Sequence, residues 1–249
     1  METELEYRAV LAVDIERSAG RGDEALMDIR GKLAEMLREA FLASGVDWEA
    51  CLRHDLGDGL RVIAPAGTRK TALVHPLVRE LALRLRTHNR GAAPRRMIRL
   101  RIALHAGDVH LAPNGEVAGS PLEVLARLLD APPARTALAE APETVPASLL
   151  LSRHFYDETV RNGYHGVYPE DFRKVTFTVK EHTADAWLHL PGWPMVPAPT
   201  DAAPEAAAVP EPLAGAKMIN RASENSSIYA VQRGTQHINI TGRPRGELS

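Results

Sequence analysis

Two aspartates in this 249-residue chain occupy positions from which carboxylates could hold a cation. Asp14 ends the apolar run YRAVLAVD, and Asp58 lies in LGDG, a tight turn between two strand-like runs. If the first strand lies beside that hairpin, the two carboxylates come close and repel each other unless a cation lies between them. Hard oxygen ligands suit Mg²⁺ or Mn²⁺, which also take phosphate oxygens. The alternative is that Asp14 only ends a strand and Asp58 only forms a turn.

The elements that must position these acids alternate between strands and helices over residues 1–190. Hydrophobic spacing and turn signals predict the order β-α-β-β-α-β-(β)-α-β-α-β-β. Hairpins mixed with crossover helices are typical of an α+β fold of the ferredoxin-like kind, an antiparallel-rich sheet with flanking helices.

Three of the helices have specific sequence signals. Apolar residues recur at helical spacing from Asp23 to Leu42 and from Thr71 to His88. In SPLEVLARLLDAP, Ser120 is expected to cap a helix whose first residue is Pro121.

The strand after the second helix carries a basic run and a histidine. MIRLRIALHAGDVHLA predicts a strand that breaks at Ala106-Gly107 and then resumes. We expect His105 to serve in packing. The basic run is expected to be a solvated strand edge, with a patch that attracts a triphosphate as the alternative. This run consists of Arg95, Arg96, Arg99 and Arg101.

Composition excludes several classes of protein. The chain has 30 Lys and Arg against 32 Asp and Glu, a formal net charge of −2, which argues against a general nucleic-acid or anionic-membrane binder. Cys51 is the single cysteine, so an internal disulfide is excluded. The sequence contains no run of about 18 apolar residues, so no membrane-spanning helix is predicted. The N-terminus lacks the pattern of a signal peptide, so a cytoplasmic location is expected.

The composition changes near residue 191, where the folded domain is predicted to end. Residues 191–215 are a Pro/Ala-rich linker, since such a run cannot bury enough apolar surface to fold alone. Residues 216–249 form a polar tail that we expect to be flexible or to dock on an effector or partner protein.

Four motifs in order resemble one known family. VDIERSA, LGDG, IRLRIALHAGDV and GSPLEVLARLLDAP are similar to the class III nucleotidyl cyclase homology domain, over about residues 5–190. The resemblance implies a reaction in which a nucleoside triphosphate becomes a 3′,5′-cyclic nucleotide and pyrophosphate, with two Mg²⁺ or Mn²⁺ ions per site. It also implies a homodimer whose sites are each shared between two subunits, so that a monomer is inactive.

The same resemblance implies roles for individual residues. Asp14 and Asp58 match the two metal-binding aspartates, and Ile15 matches the residue that lends a backbone carbonyl. Arg127 matches the arginine that stabilises the transition state. Lys180, in FTVKE, matches the lysine that holds the terminal phosphates.

Three positions depart from the family pattern. His54 stands where purine cyclases have a base-reading lysine, and it is not an obligate cation at neutral pH. Glu116 stands, in a looser alignment, at the second base-reading position. Glu123 replaces the ribose-positioning asparagine, and its carboxylate faces an anionic substrate at a Coulomb cost unless it is protonated or paired, for example with Arg127.

Two explanations fit a changed base pocket with both metal acids retained. The first is a pyrimidine substrate, UTP ahead of CTP, as in the Pycsar cyclases of antiphage defence; Asp14, Asp58 and Arg127 favour it. The second is a catalytically degenerate cyclase fold that binds a nucleotide or a partner; Glu123 favours that one.

Overall fold

The computed structural model describes residues 4–179 and 181–193. Lys180, the tail predicted at 216–249 and all but the first three residues of the linker predicted at 191–215 lie outside this part of the chain. Within the described part, no helix has both the length and the apolar character needed to cross a bilayer.

A mixed sheet forms the centre of the fold. Its strand order is β2-β3-β1-β4-β6-β8-β7, with β5 paired to β4. The pair β4–β6 is parallel and the remaining pairs are antiparallel. The segment β4-β1-β3-β2 has the order of a ferredoxin-like sheet, so the predicted fold class is confirmed. The strands are β1 (Glu4–Ile15), β2 (Leu52–Asp55), β3 (Gly59–Ile63), β4 (Leu100–Leu111), β5 (Val117–Ala118), β6 (Ala147–Ser152), β7 (Arg173–Val179) and β8 (His182–His189).

Helices cover both faces of the sheet. They are α1 (Asp23–Ser44), α2 (Lys70–Ala72), α3 (Arg79–Gly91), α4 (Ser120–Leu129), α5 (Pro132–Glu140) and α6 (Arg153–Thr159). The predicted order lacks α5, whose nine residues were not assigned to any element from the sequence. Short 3₁₀ turns lie at Pro94–Arg96 and Pro169–Asp171.

Two apolar cores lie on opposite faces of the central strand β1. Side chains alternate along a strand, so Leu11 and Val13 point towards α1 and α3, while Val10 and Ala12 point towards α4. From Ala9 to Ile15 every residue of β1 is buried. This is the position that a continuous apolar run indicates, a strand covered on both sides.

The strand β4 does not break at Ala106-Gly107, contrary to the sequence prediction. It is continuous from Leu100 to Leu111. A Cβ on Gly107 would lie 2.8 Å from the Cγ of Pro121, so the glycine allows α4 to approach the sheet closely rather than forming a turn.

The start of α4 also differs by one residue from the prediction. The helix begins at Ser120, the capping position is Gly119, and no side chain caps the first turn. Pro121 therefore stands one residue further into the helix, where its missing N–H costs no hydrogen bond.

The helix expected from Thr71 to His88 is interrupted. A six-residue turn of wider pitch, Leu73–Val78, lies between α2 and α3, and His75 within it has an extended backbone. The residue before a proline is disfavoured in helical conformation, and His75 precedes Pro76.

Candidate functional site

The end of β1 lies directly beside the turn between β2 and β3. Asp14 is the register partner of Gly59, and the backbone N–H of Ile15 donates to the carbonyl of Asp58 at 3.0 Å. The side chain of Ile15 is buried, so only its backbone is available to a ligand. The strand end and the turn are thus neighbours, as the sequence analysis expected, while the metal-binding roles of these residues stay predictions.

Glycines make this close approach sterically feasible. A Cβ on Gly59 would lie 2.0 Å from the carbonyl oxygen of Val13, which no other residue type could tolerate without movement of the strands. Gly57 has φ of +90°, and its N–H donates to the Asp55 carboxylate at 2.8 Å. The motif LGDG therefore determines how near Asp58 comes to β1.

Both acids already have polar partners. Ser18 donates its hydroxyl to Oδ2 of Asp58 at 2.6 Å. Asp14 is buried, with 6% of its surface exposed, and its Oδ2 is ion-paired with the guanidinium of Arg101. A carboxylate buried at this depth is stable as an anion only beside a cation, so the position of Asp14 suits a positive ligand.

Arg101 is a residue of this site that the sequence analysis did not assign. It lies on β4 as the register partner of Asp14, and burial together with the charge of Arg135 lowers its pKa. Its Nε and Nη1 are buried and find no hydrogen-bond partner among residues 4–179 and 181–193. Arg101 is therefore an incompletely satisfied cation beside Asp14.

A second ion pair lies just beyond the ends of the same two strands. Arg99 is buried, bonds Glu16 at 3.0 Å and donates to the carbonyl of Val145, so the expected solvated strand edge is wrong at Arg99 and Arg101. The sequence did contain a signal for this pairing. Acids at 14 and 16 and arginines at 99 and 101 both repeat every second residue, which is the spacing of one face of a strand.

His54 lies on the same face of the sheet as Asp14. In the register of the sheet, His54 on β2 lies opposite Arg61 on β3, and Arg61 lies opposite Ala12 on β1. Ala12 precedes Asp14 by two residues, so all of these side chains share one face. Burial and the neighbouring charge of Arg61 lower the pKa of His54. Its Nε2 is buried and has no hydrogen-bond partner within the described residues. His54 is therefore a neutral imidazole near pH 7 on the face that carries Asp14, while its role as a base contact stays a prediction.

Glu123 and Arg127 form the ion pair that their spacing on α4 allows. Nη2 of Arg127 lies 3.1 Å from Oε2 of Glu123, one helical turn away. The side chain of Glu123 is 67% exposed and that of Arg127 is 37% exposed, and pairs open to solvent contribute about 0–1 kcal/mol. The pair is therefore easily opened by a competing anion.

Arg127 faces a cavity of about 460 Å³ on the half of the sheet that holds β6, β7 and β8. Ser152 and His154 line this cavity together with residues of the β7–β8 hairpin. Since β4 and β6 stand between β1 and β8, the cavity and the acids occupy different halves of one sheet face. Within one chain, the cavity that Arg127 lines is thus separate from the strand ends that carry the two acids.

The remaining predicted positions contribute less to this geometry. Glu116 is exposed in the turn between β4 and β5, where its backbone N–H donates to Asn114. Lys180 lies outside the described residues. His105 is bonded through Nδ1 to Ser152 at 2.7 Å, and burial lowers its pKa to about 4, consistent with a packing role.

The described residues contain no cluster of three or more His, Cys, Asp and Glu side chains that could hold a metal ion. Asp14 and Asp58 supply two carboxylates only, so a cation there would take its remaining ligands from a backbone carbonyl and from a ligand such as a phosphate. The donor chemistry fits a hard divalent ion that binds together with a phosphorylated ligand.

Comparison with known proteins finds no matching family model and no matching curated protein. It does find similar solved structures. The guanylyl cyclase Cya2 superposes with a TM-score of 0.55 at 15% identity, over 77% of this chain and 96% of that chain. An adenylate/guanylate cyclase/hydrolase from Silicibacter pomeroyi gives 0.54 at 20% identity, over 76% and 99%.

A third structure agrees with these two. The adenylyl cyclase CyaB from P. aeruginosa has a TM-score of 0.51 at 14% identity, over 79% of this chain and 100% of that chain. Each of these proteins is matched over nearly its full length, and identities this low bear on architecture alone. The chain therefore has the fold of the class III nucleotidyl cyclases.

Proposed function

We propose that this protein is a nucleotidyl cyclase that converts a nucleoside triphosphate to a 3′,5′-cyclic nucleotide and pyrophosphate. The observation that supports the proposal most is the junction of Asp14 with the turn that carries Asp58, on the fold of known cyclases. Buried Asp14 already binds a cation in the form of Arg101. These features together are what a metal-dependent reaction on a triphosphate requires.

Asp14, Asp58 and the backbone carbonyl of Ile15 would hold two Mg²⁺ or Mn²⁺ ions. When bound, the ions would neutralise charge on the triphosphate and favour the ionised form of the ribose 3′-hydroxyl. The 3′-oxygen forms a bond to the α-phosphorus. The bond between the α-phosphorus and the oxygen that bridges the α- and β-phosphorus atoms breaks, and pyrophosphate leaves. The hydroxyl proton passes to solvent.

The chain's own residues position the substrate. The neighbouring glycines of LGDG fix Asp58 against β1, which sets where the triphosphate lies relative to the ribose. Arg127 would stabilise the charge that develops on the transferring phosphoryl group. Lys180 would hold the terminal phosphates, a role carried over from the family resemblance.

Separation of the acids from the Arg127 cavity supports a homodimeric active site. If two chains pack face to face, Asp14 and Asp58 of one subunit can meet Arg127 of the partner subunit across the interface. Neither half-site alone contains both the cation ligands and the arginine. We therefore propose that the active form is a homodimer and that the monomer is inactive.

A pyrimidine base is the proposed specificity, with UTP ahead of CTP. Support comes from His54, a neutral imidazole with a buried Nε2 that lacks a hydrogen-bond partner in the described part of the chain. An unsatisfied ring nitrogen can donate or accept one hydrogen bond with a base edge. Glu116 is the second proposed base contact.

A role of the cyclic product in antiphage signalling is part of the same proposal. Plaque counts on cells with and without the gene test this role.

The decisive experiment is a product assay on purified protein. ATP, GTP, CTP and UTP are each incubated with Mn²⁺, and the nucleotides are separated by mass and retention. We expect a cyclic pyrimidine nucleotide that disappears in Asp58→Ala. Asp55→Asn is the matched control. Asp55 is an acid of the same hairpin, but its carboxylate forms an ion pair with Arg30 and is not a proposed metal ligand. A cyclic purine product would contradict the assignment of His54.

The second candidate function is a degenerate cyclase fold that binds a nucleotide or a partner protein. The specific observation in its favour is the ion pair of Glu123 with Arg127, which offsets the charge of that arginine. By the family resemblance, the carboxylate of Glu123 would face an anionic substrate. No product from any triphosphate, with the protein shown to be dimeric, would favour this candidate. Glu123→Asn separates the two functions, since it should preserve or raise the turnover of an enzyme and leave a binding module unaffected.

A further inference from the structure

A second cleft lies on the face of the sheet opposite to Asp14. Helix α3 forms one wall and packs on the sheet through Leu81 and Leu85. The chain between α6 and β7 forms the other wall, and Pro191 and Gly192 close the end. The cleft has a volume of about 560 Å³, within the range of small-molecule sites.

Two arginines of α3 point into this cleft without ion-pair partners. Arg79 and Arg86 are seven residues apart, so they lie two turns apart on one face of the helix. Neither forms a salt bridge with any residue of the described part of the chain. By contrast, Arg84 on the same helix bonds the carboxylates of Glu39 and Glu80. The two cleft arginines are therefore available to an external anion.

The rest of the lining keeps the cleft positive or neutral. Asp171 is the one carboxylate residue among the described residues that line it, and three histidines accompany it. Burial lowers the pKa of His75 and of His189, and the charges of Arg79 and His165 lower that of His75 further. The imidazoles of His75 and His189 therefore stay neutral near pH 7 and can hydrogen-bond a ligand without adding charge.

Two glycines leave room for side chains that line the cleft. A Cβ on Gly166 would lie 2.5 Å from the ring of His75, and a Cβ on Gly192 would lie 3.1 Å from Nη1 of Arg86. Both glycines have positive φ, +80° and +77°. Neither glycine could take a larger side chain without displacing His75 or Arg86 from its place in the cleft lining.

An aromatic face lies on the same cleft. Tyr168 lines it with 51% of its surface exposed, and Phe172 stacks on His189 with ring centroids 4.8 Å apart. An exposed tyrosine beside unpaired guanidiniums offers a planar apolar surface next to an anion site. We propose that the cleft binds a nucleoside monophosphate, with its phosphate on Arg79 and Arg86 and its base against Tyr168.

Calorimetric titration of the full-length chain with AMP, in the presence of EDTA, tests the proposal. EDTA removes divalent ions, so binding that needs metal at Asp14 and Asp58 does not contribute. We expect one AMP per chain and a loss of affinity of about tenfold or more in the double variant Arg79→Gln/Arg86→Gln. The matched control, Arg38→Gln/Arg90→Gln, changes two exposed arginines outside the cleft and should bind as the parent does.

Further variants identify the ligand class. Tyr168→Ala should weaken AMP by about fivefold or more and leave inorganic phosphate binding unchanged. Asp58→Ala should bind AMP as the parent does, so failure of the cyclase proposal and failure of this one are distinguishable. Absence of AMP binding, or equal affinity in the Arg79→Gln/Arg86→Gln variant, would overturn the proposal. Inorganic phosphate binding as tightly as AMP would overturn the nucleotide assignment.

Discussion

Asp14 and Arg101 form an ion pair that is nearly removed from water. The side chains are 9% and 15% exposed, and two of the guanidinium nitrogens lack partners in the described residues. Taking two charges out of water costs several kcal/mol per ion, and mutual attraction offsets that cost only while both partners remain. A divalent ion at Asp14 would compete with Arg101 for the same carboxylate oxygen.

Arg101→Met should therefore destabilise the protein even though the new side chain is apolar and similar in length. The buried carboxylate of Asp14 would lose its cation, which we expect to lower the free energy of unfolding by about 3–5 kcal/mol. Urea denaturation at pH 7 measures this. Arg90→Met, on the exposed side of α3, is the control and should change stability by no more than about 0.5 kcal/mol. Equal midpoints for the two variants would show that the pair contributes nothing.

His105 gives the protein a pH dependence of known sign. Burial lowers its pKa from 6.5 to about 4 in the folded state. Between these pH values the unfolded chain binds a proton at His105 that the folded chain does not. The contribution of His105 to the free energy of unfolding is therefore fully present above pH 6.5 and is lost as the pH decreases towards 4. We expect a smaller loss in His105→Gln, measured as the difference in unfolding free energy between pH 7 and pH 5. A loss as large as that of the parent would contradict this.

The acids could be predicted from the sequence, whereas their cationic partners could not. Asp14 and Asp58 each stand out locally, one at the end of an apolar run and one in a glycine-rich turn. Arg101 is 87 residues from Asp14, and only the register of β1 with β4 brings them together. The pairing of Glu123 with Arg127 was predictable because helical spacing alone determines it.

The hairpin of β2 and β3 is the element on which the candidate site depends. Its turn could be predicted from LGDG, and its docking against β1 needs the missing side chain of Gly59. Two other predicted boundaries were wrong. Gly107 is not a strand break but a contact point for Pro121, which the local sequence could not show. His75 interrupts a helix whose apolar spacing is otherwise intact, and here the local signal was present in the proline that follows it.

Gly59→Ala should separate the hairpin from β1. The new Cβ would meet the carbonyl of Val13 at 2.0 Å, so we expect a loss of about 3 kcal/mol or more in unfolding free energy. Gly31→Ala is the matched control. Gly31 lies inside α1 with open space around its Cβ position, and alanine there should stabilise by about 0.5–1 kcal/mol. Thermal or urea denaturation of both variants checks the opposite signs.

For the whole molecule, the proposal of a shared site gives a quantitative prediction. Asp58→Ala and Arg127→Ala should each be inactive as homodimers. Mixed subunits restore one intact site per heterodimer, because one subunit keeps its acids and its partner keeps its arginine. Random mixing makes half of the dimers heterodimers, so equal amounts should recover about a quarter of the parent activity. Full inactivity of the mixture, with exchange of subunits verified by mass spectrometry, would contradict a shared site.

Because side chains alternate between the two faces of a strand, the number of residues in β1 determines the face on which Asp14 lies. Val10 and Ala12 share a face with Asp14, while Leu11, Val13 and Ile15 contact the core under α1 and α3. Inserting or deleting one residue between Val10 and Asp14 would turn the carboxylate into that apolar core. Evolution can therefore exchange single residues along this strand more readily than it can add or remove one. In sequences that descend from this one, insertions and deletions should occur in the loops and not within β1.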